Sequence, residues 1–202
     1  MAPVALITDF GLHDWFVGSM KGVIQGINPG VPIVDISHVI GQGDIRSGSF
    51  ALLAAHDSFP AGTVFVAVID PGVGSGRRAI AVQAGPYYLV GPDNGVCSLV
   101  AAAHESSRTW HVNNADYYKK PVSDTFHGRD IFAPVGAYLS AGIPPHRMGV
   151  PIFDPVSISI PQPCRTKKGI EGEIVYIDRF GNAFTNLSRI HIEGDNATSC
   201  TL

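Results

Sequence analysis

Thr63-Val64-Phe65-Val66-Ala67-Val68-Ile69, closing on Asp70-Pro71-Gly72, is the stretch that decides the fold of this 202-residue chain. A strand with one wet face alternates apolar and polar side chains. This one is apolar throughout, as strands of a parallel sheet covered on both faces are. Val4 to Thr8, ending at Asp9, and Val31 to Ile36, with Asp35 near its end, read the same way. Between them, Phe16, Val17, Met20, Val23, Ile24 and Ile27 follow helical spacing, with Asp14 as the expected cap and Asn28-Pro29-Gly30 as the stop. Asp44 caps a second expected helix, Ile45 to His56, stopped before Pro60-Ala61-Gly62. Strand alternating with helix predicts an α/β domain with a mainly parallel sheet flanked by helices.

Downstream, Ala79 to Gln83 and Tyr87 to Val90 read as a hairpin joined by Gly85-Pro86. A helix over about 96–104, a strand around Trp110 to Val112 and a helix from Asp130 to Ala141 follow, Pro134 being tolerated in a first turn. After Gly142 the composition shifts: Pro144, Pro145, Pro151, Pro155, Pro161 and Pro163 suit an extended linker. The expected organisation is an α/β domain at 1–142, a proline-rich linker at 143–168 and a partial C-terminal β domain at 169–202. In the last, Ile170 to Ile177 and Ala183 to Leu187 are strand-like. That segment is too short to bury a core of its own comfortably.

Composition excludes several classes. With 45% apolar and 15% charged residues the chain can bury a sizeable core and is not disordered. A net charge of -3 and no dense basic stretch argue against nucleic acid as a primary partner. Cys97, Cys164 and Cys200 are an odd count without metal spacing, which favours a reducing compartment. The apolar start, Met1 to Ile7, lacks a basic leader and reaches Asp9 too soon for a signal peptide. No segment approaches the roughly 20 apolar residues that span a membrane. These features predict a soluble, cytoplasmic protein, and its histidines show no HExxH or other tight metal pattern, so no metal is expected.

Asp9, Asp35 and Asp70 fall at the carboxyl ends of expected parallel strands, where open α/β sheets form their ligand crevice. Three carboxylates are therefore expected to converge, although Asp also commonly caps the turn that follows a strand. Asp70-Pro71-Gly72-Val73-Gly74-Ser75-Gly76-Arg77-Arg78 is the most loaded stretch. Its glycines permit sharp turns, and its arginines can orient anions or polarise a bound water. The blander alternative is a connecting loop with two solvated arginines. Thr125-Phe126-His127-Gly128-Arg129-Asp130 places a histidine at a helix entrance, suited to proton transfer near neutrality or simply to packing. Gly91-Pro92-Asp93-Asn94-Gly95 is a turn with a functional look, for which a plain turn is the stronger reading. In Asp178-Arg179-Phe180-Gly181-Asn182 an aromatic lies beside an amide, a pair able to stack on and hydrogen-bond a planar base.

Together with Ile7-Thr8-Asp9-Phe10-Gly11, and in this order, these strings resemble the S-adenosyl-L-methionine (SAM) hydroxide adenosyltransferases, SAM hydrolases related to fluorinase and chlorinase. The resemblance implies attack of water on C5′ of the SAM ribose, giving adenosine and L-methionine. It implies catalytic roles for Asp70, Arg77 and His127, with Asp9 on the ribose hydroxyls. Asp178 would face the methionine amino group, Phe180 and Asn182 the adenine, and Phe126 and Gly128 the reacting centre. It further implies a homotrimer with sites between subunits, and a C-terminal β domain shorter than is usual in the family. Gly43 stands where relatives often carry an aromatic residue. The Asp70 loop and the His127 stretch are hydrolase-like, which favours water over halide. The alternatives are a non-catalytic SAM or adenosine binder, a SAM-dependent halogenase-like enzyme, or a metal-dependent phosphatase or nuclease using the strand-end carboxylates.

Overall fold

The computed structural model describes residues 2–167 and 169–188, and the chain divides into two units between Ile158 and Ser159. In the first unit, β1 (Val4–Thr8), β2 (Ile33–Ser37), β3 (Val64–Val68), β4 (Ala79–Ala84), β5 (Tyr87–Pro92), β6 (Ser107–Val112) and β7 (Gly149–Ile152) form one sheet. Its order is β2-β1-β3-β5-β4-β6-β7. β1 pairs in parallel with β2 and β3, and β3 with β5. The β4–β5 hairpin then reverses direction, and β6 and β7 continue antiparallel. The sheet is therefore mainly parallel around β1 and β3, as the apolar runs predict.

Both faces of those runs are buried. Val4, Leu6, Val64, Val66 and Val68 join a core with Met20 and Ile24 of α1 (Phe16–Ile27) and Val135 of α4 (Ala133–Ser140). Ala5, Ile7, Phe65 and Ala67 join a second core with Leu52 of α2 (Ile45–His56) and Val100 of α3 (Ser98–Ala102). Each large aliphatic or aromatic side chain so buried contributes about 1.5–3 kcal/mol, which holds two helices on each face. α2 begins where its sequence signal lies, with the Asp44 carboxylate accepting from Ser47 N at 2.9 Å.

Several expectations differ from the structure. The residue that caps α1 is Trp15, without a side-chain hydrogen bond, and not Asp14. The helix expected from Asp130 is a π-helical turn, Gly128–Phe132, leading into α4, where Pro134 sits in the first turn and loses no bond. The prolines after Gly142 do not make a continuous linker. Pro145–Arg147 forms a 3-10 turn, and Gly149–Ile152 is β7, with Pro151 opposite Trp110. Proline is compatible with an edge strand, where one side of the backbone needs no partner, so the first unit runs on to Ile158.

In the second unit β8 (Cys164–Thr166) pairs with β9 (Gly169–Glu171), and β10 (Ile174–Ile177) with β11 (Ala183–Thr185), all antiparallel. The single strand expected over 170–177 is thus two, parted at Gly172-Glu173. Cys200 and the tail beyond residue 188 lie outside the described residues. Among the described residues no helix is long and apolar enough to cross a membrane.

Cys97 is buried at the start of α3, and burial, aided by the nearby Asp93 charge, pushes its thiol up to about 12. Cys164 is exposed. Iodoacetamide at pH 8 is therefore expected to alkylate Cys164 in the folded protein and Cys97 only after denaturation, as read by peptide mass mapping.

Candidate active site

The first polar residue after β3 is Asp70, and the chain returns to β4 through a short loop ending at Arg77-Arg78. Arg77 closes this loop on itself. Its Nε donates to Asp70 Oδ1 at 2.9 Å and to Oδ2 at 3.1 Å, and its Nη2 also reaches Oδ2. The same Nη2 lies 2.7 Å from His127 Nδ1. The carboxylate is 4% and the guanidinium 11% exposed, so two mostly desolvated charges stand paired. The guanidinium also sits over the Phe132 ring, 5.1 Å from its centroid. Asp70, Arg77 and His127 thus form one continuous chain of contacts.

Because a guanidinium only donates, His127 Nδ1 is the acceptor in that contact, and the neutral ring carries its hydrogen on Nε2. Burial, and then the Arg77 charge, hold the His127 pKa below the ordinary imidazole value against the opposing pull of Asp70. The site therefore presents a carboxylate, a guanidinium and a neutral imidazole.

Gly74 explains how the loop reaches the His127 segment. Its φ is +76°, and a Cβ there would lie 2.6 Å from the Asp124 carbonyl oxygen, so neither the conformation nor the space admits a side chain. Asp9, at the end of β1, accepts from Gly43 N through Oδ2 at 2.8 Å. Gly43 in turn faces Pro71, 3.5 Å from a Cβ built on it. Asp9 is thereby joined through one backbone amide to the start of the Asp70 loop.

Phe126 packs edge-on against Phe16 and Phe10, with centroids 5.2 and 6.1 Å away. A Cβ on Gly128 would meet the Phe10 ring at 3.1 Å and Met20 Sδ at 3.4 Å, so this aromatic wall closes only over a glycine. Arg129 covers the other side of Phe126, 4.9 Å from its centroid, while its Nε donates to Asp130 Oδ1 at 2.7 Å. Asp130 is fully buried. Burial opposes its charge, yet the Arg129 bonds and the Ser123 N–H hold its pKa below the usual carboxylate range. Phe10, Phe16, Gly43 and Asp130 received no role from the sequence. For Phe10 and Asp130 the signal was their place in the strings around Asp9 and His127, for Phe16 its place on the apolar helical face, and for Gly43 its departure from relatives.

The expected convergence of three carboxylates fails at Asp35. Lys21 Nζ stands 2.6 Å from its Oδ2 and His38 Nε2 3.0 Å from its Oδ1, so this carboxylate is held by its own partners. His38 Nδ1 is 2.8 Å from Thr8 Oγ1, so the polar chain runs from the buried pair of Thr8 and His38 out to the exposed Asp35. In the second unit Asp178 organises its own turn. Its Oδ1 accepts from Phe180 N at 2.9 Å and Asn182 N at 2.8 Å, and its Oδ2 from Asn182 Nδ2 at 2.7 Å. The Phe180 ring is left 88% exposed. Among the described residues no group of three or more His, Cys, Asp or Glu side chains is placed to hold a metal ion.

Residues 4–149 match the family model of the SAM hydroxide adenosyltransferase N-terminal domain. This chain belongs to that family. The (R)-S-adenosyl-L-methionine hydrolase of Thermus thermophilus is 39% identical, over 96% of this chain and 78% of that protein. A fluorinase of an Actinoplanes species is more distant, 29% identical over 94% of this chain and 73% of its own. The crystal structure of an uncharacterized conserved protein from Thermotoga maritima superposes with a TM-score of 0.88 at 37% identity, covering 95% of this chain and 74% of that one. The α/β fold and the family implied by the five sequence strings are thus those found.

Two outcomes follow from this geometry. Gly128→Ala must push Phe10 aside by a few tenths of an ångström, with an expected stability loss of about 1–3 kcal/mol in thermal unfolding. A depressed imidazole pKa keeps His127 neutral to lower pH, and protonation would set a cation against Arg77. Turnover is therefore expected to fall on acidification with a midpoint below the ordinary value of 6.5. A kcat/KM–pH profile, which reports the ligand-free protein, checks this, and a midpoint at or above that value would contradict it.

Proposed function

We propose that this chain hydrolyses SAM to adenosine and L-methionine by attack of water on the ribose C5′. The observation that carries the proposal is the Asp70–Arg77–His127 chain at the carboxyl edge of the sheet, in a family whose Thermus thermophilus member is named a SAM hydrolase. The step makes a C5′–O bond and breaks the C5′–S bond. The sulfonium leaves as a neutral thioether, and one proton is released from the attacking water. A sulfonium needs no general acid, so catalysis rests on holding the water in line and removing its proton.

Residue types set the roles. Arg77 remains protonated and stabilises charge that develops on the water oxygen. Asp70 and neutral His127 are the two groups able to receive the proton, and His127 Nδ1 can do so only by exchanging its contact with Arg77. Asp9 would accept from the ribose hydroxyls, as its position at the end of β1 allows. Phe126 and Gly128 would border the reacting carbon within the aromatic wall. In the second unit, Asp178 would meet the methionine amino group, while Phe180 stacks on adenine and Asn182 hydrogen-bonds it. We assign no cofactor, since leaving group and nucleophile suffice. The family resemblance supports a homotrimer with sites between subunits, testable by light scattering on the purified protein. Free thiols at Cys97 and Cys164 fit a reducing, cytoplasmic setting.

Incubation with SAM in ¹⁸O-labelled water is expected to give adenosine labelled at the 5′ oxygen, unchanged by EDTA or added chloride. Binding of SAM without product would contradict the proposal. Asp70→Ala and Arg77→Ala are each expected to lower kcat by about 10²–10⁴-fold while changing adenosine affinity far less. Equal losses in both would mean these residues only hold the site together.

A further inference from the structure

The loop from Asp70 to Arg77 has bonds of its own: Val73 N to Asp70 O at 3.2 Å, Ser75 Oγ to Gly72 O at 2.7 Å and Arg77 N to Ser75 Oγ at 3.3 Å. These shape the loop without fixing where its two ends stand over the sheet. The ends are gripped from outside by two adjacent residues of the Gly91–Gly95 turn. Asn94 Nδ2 donates to the carbonyl of Ile69, the residue before Asp70, at 2.8 Å. Asp93 N donates to the carbonyl of Arg78, the residue after Arg77, at 3.0 Å. The Asp93 carboxylate also accepts from Arg78 Nε at 2.7 Å.

The turn is itself well fixed. Asp93 Oδ1 accepts from Val156 N at 2.8 Å, Asn94 Oδ1 accepts from Val96 N at 3.2 Å, and the Asp93 side chain is 2% exposed. Arg78 extends the grip to Asp154, whose Oδ1 its Nη1 meets at 2.8 Å. Neither Asp93 nor Asn94 bonds to Asp70, Arg77 or His127, yet together they hold the backbone on either side of the first two.

We propose that Asp93 and Asn94 are positioning residues for the hydrolytic reaction, a two-point clamp that holds Asp70 and Arg77 at the separation their contact with His127 requires. This rests on the reading of those three residues as the site of SAM hydrolysis. An ångström of misplacement in a reacting constellation can cost about 10²-fold in rate.

The test compares Asn94→Ala with Thr63→Val, which removes a buried hydrogen bond (Thr63 Oγ1 to Pro60 O, 2.7 Å) at the amino end of β3. In Asn94→Ala, kcat for SAM is expected to fall about 10- to 100-fold with KM changed by less than about 3-fold. Imidazole ¹⁵N shifts of the ligand-free protein are expected to show His127 losing its Nε2–H preference and titrating closer to an ordinary imidazole. Thr63→Val is expected to lower Tm while leaving kcat and the His127 shifts unchanged. Should Asn94→Ala not fold, Arg78→Lys keeps a cation beside Asp93 without the guanidinium's grip, and carries the same expectation at smaller size.

A folded Asn94→Ala with wild-type kcat and His127 shifts overturns the proposal, as does a loss confined to KM or to Tm. If the wild-type protein does not turn over SAM, the functional reading fails instead. The His127 shifts, which need no turnover, then decide the clamp alone.

Discussion

β1 and β3 are covered on both faces, and that constraint places everything polar in this molecule. A strand between two cores cannot carry an unpaired charge, because an uncompensated buried carboxylate costs several kcal/mol. The chain therefore stays apolar through Ile69 and releases its first carboxylate, Asp70, where the strand ends. Even there the side chain is almost out of contact with water, and Arg77 returns to pair with it within one short loop. The glycines of that loop serve the return, most visibly Gly74 against the Asp124 carbonyl. Thr8 and Asp9 repeat the pattern at the end of β1, one buried against His38 and the other turned to the Gly43 amide.

Two neighbouring arginines show how far backbone alternation divides labour. Arg77 takes Asp70 and His127, whereas Arg78 takes Asp93 and Asp154. Successive side chains entering a strand point to opposite faces, so one guanidinium belongs to the candidate site and the next to the scaffold behind it. Neither is a freely solvated cation. Arg77 Nη2 serves both neighbours, so removing it alters the surroundings of both, and single substitutions in the chain are not expected to add.

Sequence reasoning reached furthest where one physical signal dominated. The doubly buried strands declared themselves by lacking alternation, and α2 by Asp44 and the Pro60–Gly62 stop. It failed where a weaker signal was outvoted by tertiary context. Asp14 is a good capping residue, but Trp15 occupies the cap. Asp35 reads as a strand end like Asp70, yet β2 runs on to Ser37, which leaves it in mid-strand, and Lys21 pairs with its carboxylate. β7 was hidden by Pro151 within it and by the prolines on either side. In the candidate site, the strings around Asp70, Arg77 and His127 were visible as motifs, and their family resemblance joined them. Fifty residues separate Arg77 from His127, and no periodicity predicts such a contact. The grip of Asn94 on Ile69 was illegible for another reason: a plain turn was the stronger reading of Gly91–Gly95, and its functional look named no partner.

The seven-stranded sheet ends on β2 and β7, and both margins are poor templates for another strand. β2 carries the charge of Asp35 on its outer course, while β7 is four residues long and interrupts its own amide row at Pro151. Short length, charge and proline are the means by which open sheets avoid edge-to-edge growth. Copies of this protein that come together are therefore expected to do so through side-chain surfaces rather than by extending one sheet into the next.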